Sequence, residues 1–449
     1  MHLGRGPART IPVALPRQAR TSHCPGAETV SRTSRLTRSA IALILTVTAA
    51  GCVSGQSHGP DLTIKANVTD KVAMTSVVRA FRTAHPDVTI DVTYEDTNAL
   101  QKTLPRDLKS GDAPDVFTVW PGSGNPASAT VLSESSYLDD LALHRFAWNL
   151  PDDVQAVVGD HGSVMIVPSS YSAIGAIYAQ QTLTSIGGTE PTTFAQVLAL
   201  CDKAQQHGKV LFALGNKTPW VTQLVSYALA AGTVYAQNPS FADDIALRRT
   251  SFAKSGWREA LDKYLRMGDR GCFSPDPLGT TYEESLDQVA SGKAVAVVQV
   301  ASALAELRSA APELSYVMHA LPAGEDPKRT RMPAAVSAAY GINAHTEHAK
   351  TAKEFVDFLA SPKGQNLYNS KGTTLPAIPN SSFKIDPAVA EVAHRQKNGT
   401  TVPFMDQTWP NSAVQQTHFQ QIHDLFAGST SVSSALKAMD HAYRDGPLG

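Results

Sequence analysis

The chain has 449 residues, of which 42% are hydrophobic and 18% charged, and its formal net charge is −1. Such a length exceeds what one ordinary core needs, and such a composition is globular, so a disordered chain is excluded and two lobes or domains are indicated. With no global basic field, a nucleic-acid partner is not expected.

The average hides an asymmetry. Residues 1–51 carry seven arginines against Glu28 alone; without them 32 bases face 39 acids, a net of −7. Residues 40–50 (AIALILTVTAA) are uncharged and mostly apolar, well short of the roughly 20 residues of a spanning helix. Arg32, Arg35 and Arg38 precede this run, and Ala49, Ala50, Gly51 and then Cys52 follow it. Basic region, apolar stretch and small residues are the signal-peptide order. The cysteine after the small residues resembles a bacterial lipobox, although Ala49 stands where leucine is commonest. The resemblance implies a signal peptide over 1–51, a lipid on Cys52, a linker over 52–60, and anchoring at the outer face of the cell membrane. Residues 1–29 are more than a signal needs, which suggests a start near Val30.

Beyond the linker, strand and helix patterns alternate. Apolar and polar residues alternate over 62–66 (LTIKA), as in a half-buried strand. Met74, Val77, Val78 and Phe81 repeat at helical spacing, and Val88, Ile90 and Val92 alternate again. Strand, helix, strand at this spacing predicts a βαβ unit with a parallel sheet. A helix is predicted over 98–110, kinked or split at Pro105 and stopped by Gly111. A third strand follows, with Asp115 at its start and Trp120 at its carboxyl end. Ligands of open α/β sheets bind beyond the carboxyl ends of strands, so Glu95, Asp96 and Trp120 are expected to converge on one crevice. Residues 191–208 read as a helix with a proline start and glycine stop. Ala294–Val300 (AVAVVQV) reads as a strand buried on both faces. Ala352, Phe355, Val356 and Leu359 mark another amphipathic helix. No period of 20–50 residues signals a repeat protein.

Of four cysteines, Cys24 falls in the signal and Cys52 is the lipidation candidate, leaving Cys201 and Cys272. An exported chain with two such cysteines can form one disulfide. Phe194, Val197, Leu198 and Cys201 also share a helical stripe, so Cys201 equally fits a buried thiol. No CxxC and no Cys/His ligand spacing suggests zinc. His345, Glu347 and His348 resemble a metal site only superficially, and no metal or cofactor is expected.

Several segments in sequence order resemble the carbohydrate-type solute-binding proteins of ABC importers, the relatives of maltose-binding protein. They are 108–116 (LKSGDAPDV), 137–141 (YLDDL), 167–178 from Val167 to Tyr178, 183–194, 292–296 (GKAVA), 340–344 (YGINA) and 361–365 (SPKGQ). The resemblance covers about 60–430. Two departures stand out: Tyr178 is followed by Ala179 and Gln180 rather than Asn and Lys, and no tryptophan follows the strand at Val300. The resemblance implies an α/β, two-lobe, periplasmic-binding-protein-like fold of the class II type, each lobe a mainly parallel sheet flanked by helices. The chain would cross between lobes near Val167, Gly292 and Arg331. The N-terminal lobe would then be 61–166 plus 292–331, and the C-terminal lobe 167–291 plus 332–449. It also implies a monomer that closes its hinge over one sugar and delivers it to ABC permease transmembrane subunits.

A sugar site needs aromatic faces for the CH surface of the ring and acids or amides for its hydroxyls. The candidates are Trp220, in the loop where relatives carry a cleft tryptophan; Trp120 at a strand end; Trp409 in a polar, Pro-flanked segment; Tyr171 at the predicted crossing; and Glu95, Asp96, Asp115 and Gln299. Trp148 and Trp257 read as surface or packing residues. No GxSxG, GxxxxGK[ST] or HExxH occurs, and adjacent acids such as Asp139 and Asp140 do not face each other across a substrate as glycosidase carboxylates must. An enzyme is therefore not expected. The expected solute is a di- or oligosaccharide, with a monosaccharide next; the alternatives are a sensor or adhesion lipoprotein binding a polyol or a glycerophosphodiester, the last needing a basic cluster, and, least favoured, a glycoside-acting enzyme.

Overall fold

The computed structural model describes residues 59–159 and 162–446; the segment 1–51 read above as a signal peptide, and Cys52, lie outside the described residues. Strands β1 (Leu62–Asn67), β2 (Ile90–Glu95), β3 (Val116–Val119), β4 (Val167–Pro168), β5 (Tyr171–Ala179), β6 (Val210–Ala213), β7 (Ala294–Val300), β8 (Tyr316–His319), β9 (Met332–Val336), β10 (Ala339–Ile342) and β11 (Thr401–Val402) form two sheets. The first has the order β2-β1-β3-β10-β4; the second runs β11-β9-β5-β7-β6, with β8 also paired to β5.

The predicted βαβ unit is present. β1 and β2 pair in parallel, from Leu62 beside Ile90 to Asn67 beside Glu95, and the helix Lys71–Ala84 buries Met74, Val77, Val78 and Phe81 on one face. The next helix, Thr97–Ser110, runs unbroken through Pro105. The proline removes one donor, but Leu100, Leu104 and Leu108 still lie buried on one side and hold the helix to the sheet. Gly111 ends it in the left-handed region, at φ 81°.

In each sheet one strand opposes the others. β10 is antiparallel to β3 and β4, and β5 is antiparallel to β7, β8 and β9. These are the strands entered from the hinge. β4 leads through Ser169 and Ser170 into β5, β9 leads through Ser337 and Ala338 into β10, and the two runs lie side by side. Their crossing is sewn by Ser169 N and Ser170 N donating to Ala338 O (2.9 and 3.3 Å) and Ser337 N donating to Ser170 O (2.9 Å). A third link, 373–375, joins them: Tyr171 and Leu375 exchange both backbone bonds (2.7 and 3.0 Å). Thr373 there has φ 55°, a strained value for a β-branched residue, and its hydroxyl accepts from Arg308 Nη1 (3.3 Å).

This pairing corrects the expected division of the chain. The segment 292–331 belongs with the second sheet, because β7 lies between β5 and β6 and β8 lies on β5. The nine-residue β5 is long enough to take three partners. The crossing placed near Gly292 is therefore absent, the one placed near Arg331 lies at 337–338, and the remaining one lies at 373–375. Helices Ala349–Ala360 and Pro362–Gly372 return to the first sheet, where Phe355 and Phe358 meet Phe81 edge-on at 5.3 and 5.5 Å between ring centres. Among the described residues no helix is long and apolar enough to cross a membrane.

Cys201 and Cys272 are joined, their Cα atoms 4.8 Å apart across 71 residues of sequence. Cys201 lies on the helix Phe194–Gln206 and both half-cystines are fully buried. The bridge and the apolar stripe are thus both present. A loop of this length corresponds to roughly 4 kcal/mol of stabilisation in chain-entropy treatments. Denatured, unreduced mature protein is expected to show no free thiol at these positions, and reduction to lower the urea midpoint accordingly; two labelled thiols per chain would contradict the bridge.

Candidate functional site

The two sheets direct their carboxyl ends toward a cavity of ≈ 90 Å³ between the lobes. From the first lobe come Asn67 at the end of β1, Thr97 just after β2, and Thr118 and Trp120 at the end of β3. Asn67 N donates to Thr118 Oγ1 (3.0 Å) and its Nδ2 to Thr97 Oγ1 (2.8 Å), which locks this floor. From the second lobe come Trp220 in the turn after β6, Val300 and Ser302 at the end of β7, Tyr227 on the helix Thr222–Ala230, and Phe404 to Gln407 beyond β11. Small-molecule clefts usually measure roughly 300–1,000 Å³. The cavity is smaller than that, so a solute of saccharide size needs the lobes to stand further apart.

Closure is a backbone contact. After Trp120 the first lobe continues Pro121-Gly122-Ser123-Gly124, and a Cβ on Gly122 or Gly124 would stand 2.2 Å from Gln407 O or 2.1 Å from Asp406 O. Ser123 Oγ donates to Trp409 O at 2.5 Å. Only glycine allows this approach, and Gly122 also sits at φ 77°.

The cavity combines aromatic faces with unsatisfied polar atoms. Trp120 is partly exposed and Trp220 is 6% exposed, braced by the Tyr282 ring at 5.1 Å. Gln101 Oε1, Gln407 Oε1 and Gln415 Oε1 are buried without a hydrogen-bond partner, and all three residues line the cavity. Each such atom is costly unless something brought to it bonds it. Two carboxyls also line it. Asp70 precedes the helix Lys71–Ala84 but its side chain makes no capping bond; burial pushes it up to about 7, with the Tyr368 hydroxyl opposing and Glu306 adding to the shift. Asp406 is pushed up to about 6 by burial, against its own backbone and the Tyr227 hydroxyl.

The sequence-derived candidates divide. Trp120 and Trp220 line the cavity; the other six serve elsewhere. Trp409 is 1% exposed and packs among Tyr227, Phe252, Trp257 and His418, with ring centres 5.8–6.4 Å away. It is a core residue whose neighbours Asp406 and Gln407 face the cavity. Tyr171 is a buried hinge residue whose hydroxyl donates to Ala334 O (2.9 Å). Asp115 lies at the amino end of β3, opposite the cavity, and accepts from Thr63 N and Oγ1 (both 2.7 Å) and from Thr346. Burial opposes its ionisation, but these hydrogen bonds prevail and lower its pKa. His348, the residue of the superficial metal motif, is bonded to the same carboxylate at 3.2 Å. Glu95 pairs with Lys65 (3.7 Å) and accepts from Thr103 (3.2 Å). Asp96 caps its helix through Asn98 N (2.9 Å), although Thr97 and Gln101 behind it reach the cavity. Gln299 is fully buried, its Oε1 turned to Val300 N (3.0 Å). Asp70, Gln101, Tyr227 and Gln415 were missed. Gln101, Tyr227 and Gln415 show in the sequence only as polar groups on otherwise apolar helix faces, a pattern that core hydrogen bonding also produces, and Asp70 only as an ordinary residue before a helix.

With this geometry in view, residues 65–366 match the family of bacterial extracellular solute-binding proteins, more than half of the chain, and the protein belongs to that family. An uncharacterized ABC transporter extracellular-binding protein of Pyrococcus horikoshii is 20% identical over 88% of this chain and 92% of its own length. A multiple sugar-binding protein of Streptococcus mutans is 21% identical over 65% of this chain and 69% of its own. A solved structure from work on xylan utilisation by Caldanaerobius polysaccharolyticus has a TM-score of 0.74 at 20% identity, covering 85% of this chain and 99% of the other, and shares the fold.

The glycine contact is testable. Gly124→Ala is expected to prop the lobes apart while leaving each lobe's packing intact. Overpacking of about 1–3 kcal/mol, all of it in the closed state, weakens solute binding about 5- to 150-fold. Small-angle scattering with ligand should show the variant more extended than the wild type; equal compaction and equal affinity would reject the contact as a determinant of closure.

Proposed function

We propose that the protein is the capture component of an ABC importer that binds a saccharide, a di- or oligosaccharide first, by hinge closure, without converting it. The observation that carries this reading is the set of three buried, unpartnered amide oxygens on a cavity walled by Trp120, Trp220 and Tyr227. A pyranose offers what such a cavity lacks: CH faces for the indoles and hydroxyls for the amides. The sugar-binding relative supports the same class. Among the described residues no lysine, arginine or histidine lines the cavity, which weighs against a glycerophosphodiester. The permease subunits are the partners this role requires.

Trp120 and Trp409 separate site from core. Trp120→Ala should keep a near-native melting temperature and weaken saccharide binding about 5- to 150-fold, the loss of one stacking platform. Trp409→Ala should cost roughly 3–5 kcal/mol of folding stability. The check is a thermal-shift series over sugars, in which ligand raises the midpoint by mass action, followed by recovery of the bound sugar. A chemically altered product would overturn the binding-protein reading.

We further propose that Cys52 carries a lipid that holds the mature protein at the outer face of the membrane. Cys52→Ala should yield unprocessed or released protein with its fold intact. Wild-type protein found free of cells, with no lipid mass on Cys52, would refute the anchor.

A further inference from the structure

The polar lining of the cavity is unbalanced in charge and in hydrogen-bonding sense. Its ionisable groups are acids: Asp70 from the first lobe and Asp406 from the second, beside the phenol of Tyr227. Asp70 is faced by the phenols of Tyr368 and Tyr340 and, across the lobe boundary, by Glu306 on the helix Ala303–Ala310. Glu306 itself accepts from the Tyr282 hydroxyl (2.7 Å), and Glu283 adds a further negative charge near it. Asp406 is faced by Tyr227 and Tyr235 and accepts from Gln415 Nε2 (2.9 Å). None of these neighbours is a cation. Arg308, two residues beyond Glu306, is committed to Asp386 at 2.7 and 2.9 Å.

The unpartnered amides lean the same way. Gln407 Nε2 donates to Val336 O (2.7 Å) and Gln415 Nε2 donates to Asp406, which fixes both amide orientations. What remains free is Oε1 of each, on residues 8% and 2% exposed. These acceptors can be satisfied only by donors. Half-buried carboxylates with no counter-charge beside them, as Asp70 and Asp406 are, are costly unless they take up protons or a cation joins them. A neutral sugar brings donors but no charge. An ammonium brings three donors and a positive charge, and the aromatic walls suit a cation as well as a sugar face.

We propose that the solute is an amine-bearing saccharide, its ammonium group received in this acceptor-rich cavity with Asp70 and Asp406 as counter-ions. The inference rests on the saccharide reading above and narrows it. It carries a pH signature. Burial holds the two carboxyls partly protonated near neutrality. Binding an ammonium requires their ionised forms, so affinity falls as pH drops from 7 to 5. A neutral sugar has no such requirement.

The test uses the mature protein and a thermal-shift panel of matched pairs at pH 7: glucosamine and glucose, galactosamine and galactose, chitosan and cello-oligosaccharides, with N-acetylated forms as a third arm. Positive members are then measured by calorimetry at pH 7 and 5. The amine should bind about ten- to a hundredfold tighter than its neutral partner, as expected for hydrogen bonds to charged groups. That preference should shrink at pH 5. Asp406→Asn and Asp70→Asn should each shrink the ratio of amine to neutral affinity, whatever they do to the two affinities separately, and either variant alone suffices if the other folds poorly. Neutral sugars binding as well as the amines, or a preference indifferent to pH and to both substitutions, overturns the inference and leaves the saccharide reading standing. A panel in which no sugar of any kind binds overturns both.

Discussion

Two antiparallel strand runs that belong to both sheets at once are the constraint on which the rest of the molecule depends. β4 continues into β5 and β9 into β10, so each sheet contains a strand opposed to its neighbours, and the lobes cannot be assembled independently of the hinge. Backbone groups at the crossing would otherwise be buried and unpaired. They are satisfied instead by the bonds among Ser169, Ser170, Ser337 and Ala338 and by the exchange between Tyr171 and Leu375. Asn369 Nδ2 donates to Ser169 O (2.8 Å) and Gln365 Nε2 to Pro168 O (3.0 Å), tying a first-lobe helix to the same point. The chain passes between the sheets through only these few residues, the arrangement that hinge bending uses.

The site follows from that arrangement. Because the strands of each lobe point their carboxyl ends inward, short loops from β1, β3, β6 and β7 meet across a cleft without any long insertion. Three glutamine Oε1 atoms remain without partners in a protein that elsewhere bonds most of its buried polar groups. Around the cleft the packing is rigid. Tyr227 stacks on His418 at 5.5 Å, and that imidazole, buried and bonded to Ser226 (3.0 Å), is held down to about 3 and so stays neutral. A neutral aromatic core behind an acidic, acceptor-rich face gives the cleft its chemical polarity. Firm aromatic walls also hold the orphan atoms at fixed positions, which favours selective over adaptable binding.

The sequence by itself determined the local elements and their class. Alternation over 62–66, the stripe through Met74 and Phe81, and the apolar run at Ala294–Val300 each depend on neighbours within one element, and each appears as read. The order of short motifs also carried the family. Trp120, placed by its position at the carboxyl end of a parallel strand, lines the cavity between the lobes, because a residue there has few other places to point. Tertiary structure alone decided the rest. Which sheet receives β7 depends on pairing with β5, more than a hundred residues away in sequence, and one long strand can serve several partners. Trp409 and Trp220 look alike in sequence, yet one ring turns into an aromatic core and the other toward the cavity. Asp96 and Asp70 each precede a helix, yet one carboxylate caps it and the other is left to the cleft. Side-chain direction at such positions is set by what packs against them, and those partners come from the other lobe or from distant helices, beyond the reach of any local pattern.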